Sequence, residues 1–278
     1  MKSEKTAQAT NEWEHILLLG CDSRKAGEYE RSDCMIVLSI NQDGEVRLTS
    51  IMRDIWVEIP GHGEGKINAA VVYGGPELAM RVVSDRFDLQ IDKYVMVNMK
   101  GMVNIIDLLG GVDLELTEDE SLFINYDIQI VQRISQPERV IPPLKYYGQV
   151  HLCGVQAVTH MRNRFDGGGD FMRTARHRQL LIAIAKKIRT KKSFLWLFGV
   201  ALRGKKWVRT NLNLPELGRI ALLALRQDPN AIRGFRIPAE GTYTINDDGI
   251  WRFETDFEKN SQLLRAFLKS GRGSDEIQ

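Results

Sequence analysis

The sequence predicts an α/β (α+β) fold, a three-layer α-β-α sandwich with a central mixed β-sheet. Short apolar runs typical of buried strands alternate with longer segments of helical periodicity, which indicates helices covering a sheet. The 278 residues are 43% hydrophobic, enough to bury a large core as one domain. No apolar run reaches the roughly 18 residues of a membrane-spanning helix, so neither a transmembrane helix nor a signal peptide is predicted.

The elements are predicted in chain order from these patterns. The first two strands are HILLLG at 15–20 and CMIVLSI at 34–40, joined by the polar loop 22–32. The turn at Asp43-Gly44 predicts a hairpin into a third strand. Further strands are expected at 44–52, 94–99 and 112–116, at 232–239, and in the edge segments TYTIN and IWRFE. Helices are expected at 76–87 and 102–110, from 170 onward, and at 215–226 and 256–270.

One stretch departs from this alternation. Residues 117–150 mix polar and apolar character and include prolines 137, 142 and 143. Because this is long for a connection, we expect a functional flap there.

The remaining sequence predicts a single catalytic domain at 15–270, with tails at 1–14 and 271–278. The polar N-terminal tail suits a chain trimmed upstream. A net charge of +2 is too balanced to predict nucleic-acid binding over the whole surface. The three cysteines lack metal-ligand spacing; Cys21 and Cys34 could form a disulfide or stay as buried free thiols.

Four clusters of arginine and aspartate carry the functional signal: CDSR at 21–24, RSD at 31–33, MRD at 52–54 and MRNRFDGGGDFMRTAR at 161–176. Arginine presents a planar fork of donors that matches phosphate oxygens two at a time. Any one cluster alone is usually a surface or structural ion pair. Four of them at strand ends and helix starts instead predict a cationic pocket for a phosphate ester and a divalent metal.

Within these clusters, the spacing predicts particular roles. Antiparallel strands would place Asp22 and Asp33 at the same end, where their repulsion favours a bound cation such as magnesium, or manganese. Asp170 is a candidate N-cap after the glycine run. Arg162 and Arg164 would share one face of an extended segment, and Arg173 and Arg176 one side of a helix, around a bound anion.

At this point the sequence resembles the LytR-CpsA-Psr family of bacterial cell-wall proteins. The resemblance lies in the ordered set HILLLGCDSR, RSDCMIVLSI, SIMRDIWVEIPG, KINAAVVYGGPELA, VQAVTHMRNRF and GDFMRTARHRQ, from about residue 15 to about residue 190. Cys21, Cys34 and Met52 depart mildly from the family pattern and remove no charged group.

The resemblance implies an enzyme that transfers a glycopolymer from a polyprenyl-pyrophosphate carrier to a peptidoglycan acceptor. It also implies a location at the extracytoplasmic face of the plasma membrane, with an N-terminal anchoring helix that this chain lacks. Matching the motifs residue by residue implies Asp22 and Asp33 as metal ligands, Asp170 as general base, and Gln179 as a polar pocket residue. The implied pyrophosphate ligands are Arg31, Arg53, Arg162, Arg164, Arg173 and Arg176, with Arg31, Arg53 and Arg173 also counted as catalytic.

Two alternatives stay open at the level of sequence. Such a pocket could bind a polyprenyl pyrophosphate without transferring anything, or could hydrolyse it as a pyrophosphatase. The segment 191–209 carries FLWLFGVAL between basic flanks and predicts either a membrane-surface element or a buried helix. Nucleic-acid binding through 186–209 is not expected, because apolar residues interrupt its basic residues.

Overall fold

The computed structural model describes residues 13–21, 31–163, 169–191 and 193–271. In chain order the strands are β1 (Trp13–Cys21), β2 (Ser32–Asn41), β3 (Val46–Ile51), β4 (Trp56–Ile59), β5 (Gly63–Lys66), β6 (Ile91–Asn98), β7 (Val112–Leu116), β8 (Gly148–Leu152), β9 (Val208–Thr210), β10 (Arg233–Ile237), β11 (Tyr243–Asn246) and β12 (Arg252–Thr255). The helices are α1 (Ala70–Phe87), α2 (Met99–Leu109), α3 (Glu118–Ser135), α4 (Gly154–Met161), α5 (Gly169–Lys191), α6 (Phe194–Gly204), α7 (Leu214–Arg226) and α8 (Phe257–Ser270).

The chain divides into two compact units. The first contains the residues up to Met96 together with those from Ala231 onward, and the second is Val97–Asn230. Whether residues 15–270 fold as one domain stays a prediction.

A mixed sheet forms the centre of the first unit. Its strand order is β10-β3-β2-β1-β6, with β1 and β3 antiparallel to β2 and β10 parallel to β3. Strands β1 and β2 pair Gly20 with Cys34 and, after a bulge, Cys21 with Ser32. This antiparallel pairing is the one expected from the sequence, and it starts two residues earlier, at Trp13. The predicted fold class, with a central mixed sheet and helices, is confirmed.

Helices α1 and α8 pack together in the first unit. The rings of Phe87 and Phe257 lie 5.9 Å apart between centroids, and Phe235 of β10 stacks on Phe267 of α8 at 5.3 Å. Such aromatic pairs add to the stabilisation from buried area. Helix α1 is kinked where Gly75 has a φ of 68°, directly before Pro76.

The second unit is built around an antiparallel ribbon of β7 and β8 with helices against it. Its core takes apolar side chains from six elements, including Val103, Ile106, Val112, Ile124, Val131, Leu152, Val155, Val158 and Leu180. Gly110 ends α2 with a φ of 84°, a left-handed conformation that glycine adopts without strain.

The predicted flap at 117–150 is wrong for most of its length. Residues 118–135 form helix α3, and 148–152 form β8. The helix begins with a capping box, in which the Thr117 hydroxyl accepts from the Glu120 amide and the Glu120 carboxylate accepts from the Thr117 amide. The sequence T-E-D-E at the start of α3 indicates this capping box. The many polar residues on the exterior of the helix made its apolar periodicity hard to recognise in the sequence.

Smaller differences concern the strands and the cysteines. The segments around Tyr243 and Trp251 form a separate two-stranded ribbon, β11 with β12, and not edges of the main sheet. Strands β4 and β5 form another ribbon that the sequence analysis did not predict. Cys21, Cys34 and Cys153 form no disulfide with one another. Among the described residues, no helix is both long and apolar enough to cross a membrane.

Candidate functional site

In the first unit, Arg53 lies between two carboxylates. Its Nη1 donates to Asp33 Oδ1 at 2.8 Å, and its Nε donates to Asp54 Oδ2 at 3.1 Å. Lys66 Nζ lies 2.6 Å from the other oxygen of Asp54. The cluster of Asp33, Arg53, Asp54 and Lys66 thus joins the start of β2 to the turn after β3 and the end of β5.

The backbone holds this cluster in place. The Asn68 amide donates to the Arg53 carbonyl at 3.3 Å, and the Phe253 amide donates to the Asp54 carbonyl at 3.0 Å. Burial raises the pKa of Asp54, but the hydrogen bonds and positive charges of Lys66 and Arg53 outweigh it, so the pKa lies below its usual value. Asp54 is therefore a buried anion that orients Arg53, while Asp33 stays partly exposed.

In the second unit, Arg176 is at the centre of a buried network. Its side chain is 2% exposed, and its Nε and Nη2 lie 3.1 and 3.0 Å from Glu120 Oε1. Its Nη1 donates to the carbonyl of Asn163 at 3.1 Å. Arg176 thereby connects α5 with the start of α3 and with the turn after α4.

Two further predicted arginines of this unit pair with carboxylates. Arg173 Nη2 donates to Asp170 Oδ2 at 3.1 Å, one helical turn away on α5. Arg162, which follows the last turn of α4, donates through Nη1 to Asp127 Oδ2 of α3 at 3.2 Å. Asp170 lies inside the first turn of α5 and is not its N-cap as expected, since the helix already includes Gly169. Gln179 is half-buried on the same helix.

The other predicted site residues are Arg31, Asp22 and Arg164. Arg31 is exposed just before β2. Asp22 and Arg164 lie outside the described residues. Convergence of all the arginines on one pyrophosphate stays a prediction, as do the individual roles assigned to them.

Sequence reasoning missed several charged partners: Asp54, Lys66, Glu120, Asp127 and the buried Arg178. Asp54 and Lys66 belong to the motifs MRD and KINAA, and so could have been identified from the sequence. Asp127 and Glu120 are 35 and 56 residues away from the arginines that they bind. No local pattern links residues so distant, and only the packing of α3 beside α4 and α5 brings them together.

The donor set near Asp33 suits magnesium in part. Asp33 presents a partly exposed carboxylate, one oxygen of which accepts from Arg53. Magnesium commonly takes one or two protein carboxylates and fills its remaining positions with phosphate oxygens and water. Among the described residues, no group of three or more His, Cys, Asp or Glu side chains is placed to hold a metal ion.

Comparison with known proteins decides the family. The model of the LytR_cpsA_psr family matches residues 1–268. The chain belongs to this family. A relative from Bacillus cereus, named polyisoprenyl-teichoic acid–peptidoglycan teichoic acid transferase TagU, is 30% identical over 285 residues, covering 97% of this chain and 86% of the relative.

Solved structures share the fold of this chain. The crystal structure of B. subtilis TagV superposes with a TM-score of 0.74 at 24% identity, covering 93% of this chain and 96% of TagV. A second structure is described as LytR-CPS2A-psr family protein YwtF (TagT) with bound octaprenyl pyrophosphate lipid. It superposes with a TM-score of 0.67 at 21% identity, covering 94% of this chain and 90% of YwtF. At these identities the likeness shows the fold, and the expected family membership is confirmed by the family model.

Two histidines of this LytR-CpsA-Psr chain are buried and neutral. His15 of β1 lies with Nδ1 2.8 Å from Ser39 Oγ, and burial lowers its pKa to about 4. His160 of α4 also has its pKa lowered to about 4, by burial first and by the charge of Arg176, against the opposing charge of Glu120. Burial raises the pKa of Glu120, but the Thr117 amide, His160 and Arg176 together lower it overall.

These lowered values predict acid sensitivity of the fold. A histidine with a folded pKa near 4 and an unfolded pKa near 6.5 stabilises the protein fully above pH 6.5, and this contribution is lost as the pH falls toward 4. For His15 the loss amounts to about 3 kcal/mol. Urea unfolding between pH 7 and pH 4.5 should show this decline. His15→Asn should remove about half of this decline, because His160 keeps its own contribution, whereas the same change at exposed His62 should leave the decline as in the wild type. Equal slopes in all three proteins would contradict the assignment.

Proposed function

We propose that this protein is a phosphotransferase that moves a secondary cell-wall glycopolymer from a polyprenyl-pyrophosphate carrier onto peptidoglycan. The observation that carries the proposal is the concentration of buried arginines on α5. Arg173, Arg176 and Arg178 are each at most 5% exposed, within six residues of one helix. Keeping guanidinium groups out of water is costly unless anions compensate them. Asp170 and Glu120 compensate Arg173 and Arg176 in part, and a substrate pyrophosphate would add to this compensation. Asp170 stands beside them as a candidate base.

The names of relatives support the same activity. The B. cereus relative is named a teichoic acid transferase that acts on peptidoglycan, and the YwtF (TagT) structure is described with a bound prenyl pyrophosphate. A teichoic acid or similar polymer on a prenyl-pyrophosphate carrier is therefore the substrate class that we propose here.

The chemistry follows from the residues present. A hydroxyl of the acceptor glycan attacks the phosphorus next to the polymer sugar, forming a new P–O bond and breaking the bond to polyprenyl phosphate, which leaves. Asp170 would accept the proton of the hydroxyl. Arg53 and Arg173, each already oriented by a carboxylate, would stabilise the charge that builds on the phosphate oxygens.

Magnesium is proposed as the cofactor, with Asp33 as one ligand and Asp22, outside the described residues, as the other. Bound there, the ion would neutralise charge on the pyrophosphate oxygens. Manganese would serve the same role.

Product analysis tests the function against its alternatives. The purified protein would be mixed with a radiolabelled polymer on its polyprenyl-pyrophosphate carrier and with peptidoglycan. We expect labelled polymer bound to peptidoglycan and release of polyprenyl phosphate. Free phosphorylated polymer alone would instead indicate a pyrophosphatase. Carrier binding without any product would indicate a lipid-binding protein, and either result would overturn the proposal.

The metal assignment gives a separate prediction. Asp33→Ala should abolish transfer while the protein still folds, because a partly exposed side chain contributes little to the core. Asp33→Asn keeps an oxygen for Arg53 and loses the charge, so it should raise the magnesium concentration needed for half-maximal activity. The measurement is a magnesium titration of both variants. Full turnover of the wild type in excess chelator would contradict the assignment.

We further propose that the protein acts at the extracytoplasmic face of the bacterial plasma membrane and contacts it through α6. This helix buries Leu197 and Val200 yet exposes Phe194, Leu195 and Leu202. Residues 171–215 contain twelve Lys and Arg and no Asp or Glu. Exposed apolar residues beside basic ones suit the headgroup region of an anionic leaflet.

Vesicle binding tests this contact with a matched pair of variants. Leu195 of α6 is 81% exposed, and Leu122 of α3 is 61% exposed on a surface without that excess of basic residues. Leu195→Ser should weaken co-sedimentation with phosphatidylglycerol vesicles, whereas Leu122→Ser should not. Phosphatidylcholine vesicles should bind neither variant. Absent binding of the wild type, or equal loss in both variants, would show that α6 is simply a partly packed helix.

A further inference from the structure

Three exposed tyrosines lie on the second unit, on helix α3 and on the segment that precedes β8. Tyr126 of α3 is 81% exposed, and Tyr146 and Tyr147, just before β8, are 77% and 62% exposed. With the exposed Leu122 and Ile130, one turn of α3 to either side of Tyr126, they form what we call the tyrosine platform. Monomeric proteins rarely expose large side chains together without a use, which is most often binding.

The platform has a fixed backbone. Residues 139–146 run back along α3, because Arg139, Leu144 and Tyr146 are hydrogen-bonded to Gln132, Asn125 and Ser121 in turn. The Asn125 side chain bonds both the amide and the carbonyl of Leu144, at 2.7 and 2.9 Å, and the Ser121 hydroxyl donates to the Tyr146 carbonyl at 3.1 Å. The tyrosines therefore project from an ordered surface and not from a loose loop.

The chemistry of this surface selects its ligand. A tyrosine offers an apolar ring face and a hydroxyl at low cost in conformational entropy, which matches the apolar face and hydroxyl groups of a sugar. Residues 118–147 contain five acidic and three basic residues. Because two of these acidic residues, Glu120 and Asp127, are paired with Arg176 and Arg162, the remaining acidic and basic residues balance. A surface without net charge does not attract phosphate polymers or anionic membranes, and it tolerates an uncharged glycan backbone.

The platform is continuous with the candidate site through α3. Asp127, the residue after Tyr126, binds Arg162, and Glu120, two residues before Leu122, binds Arg176. A chain of sugars lying along the platform would thus run along the same helix that positions two of the pocket arginines.

We propose that the tyrosine platform binds the glycan strand of the peptidoglycan acceptor. The choice of this glycan rests on the proposed function, since a transferase needs a second surface for its acceptor. The platform would hold several sugars at once, so that one hydroxyl reaches the phosphorus while neighbouring sugars supply the binding energy.

Sedimentation with purified sacculi tests the proposal. The probes are sacculi stripped of lipid and teichoic acid, and a soluble oligomer of β-1,4-linked N-acetylglucosamine as competitor. Replacing Tyr126, Tyr146 and Tyr147 together by Ala should reduce binding to sacculi by about tenfold or more, as expected for the loss of buried aromatic anchors. The triple change to Phe should retain most of the binding, because it keeps the rings. The matched control is Tyr73→Ala, an exposed tyrosine of α1 outside the platform, which should bind as the wild type does.

Octaprenyl pyrophosphate binding, measured in parallel, separates this proposal from the proposed function. The Ala variant should bind the lipid as the wild type does, since none of its three changes touches the paired arginines. If the wild type binds the lipid but not sacculi, or if the Ala variant binds sacculi normally, the platform proposal is wrong and the proposed function still stands. If the wild type fails to bind the lipid, the proposed function fails instead. A wild-type dimer that the Ala variant breaks, without any change in binding to sacculi, would make the platform a contact between copies of this chain.

Discussion

The buried ion pair of Arg176 and Glu120 is the interaction on which the second unit's candidate site depends. Both partners are well shielded from water, and removing one would leave an uncompensated buried charge at a cost of about 3–5 kcal/mol. Glu120 also closes the capping box at the start of α3, and Arg176 also binds the Asn163 carbonyl after α4. One pair thereby fixes three helices, and with them the partners of Arg162 and the position of the first turn of α5.

The cluster around Arg53 in the first unit also compensates a buried charge, but this cluster is more exposed to solvent. Asp54 is buried and has two cationic partners, so its charge is stable and Arg53 is held by its Nε. Asp33 is more exposed and accepts from a single nitrogen of the guanidinium group, Nη1. This asymmetry leaves Asp33 accessible to a ligand while Asp54 acts as a positioning residue for Arg53.

Much of the fold could be predicted from the sequence because apolar periodicity and glycine turns are local signals. The pairing of β1 with β2 and the end of α2 at Gly110 are examples. The candidate site was predictable where its residues belong to short motifs of arginine and aspartate, as for Asp33, Arg53 and Asp170. Arginines in short motifs are visible in the chain, whereas Glu120 and Asp127 belong to a helix that was expected to be a flap, and their role appears only once α3 packs beside α4 and α5. For a polar helix of this kind, the capping residues in the sequence predict the helix more reliably than its weak apolar periodicity does.

Helix α5 sets the distance between the two ends of the proposed reaction path. Arg173 lies near its start, and Lys191, at its end, leads into α6. At 1.5 Å per residue these positions are separated by about 27 Å along the helix axis. If α6 contacts the leaflet and α5 stands upright on it, a pyrophosphate held at Arg173 would lie up to about 27 Å from the headgroups, and the prenyl chain would have to span that interval. Residues 180–185, LLIAIA, provide apolar side chains over the middle of that interval, and Leu180 and Ala183 among them are buried in the core of this unit. On the proposed function, the prenyl chain of the carrier would then lie along α5, between the basic end of this helix and the arginines near its start.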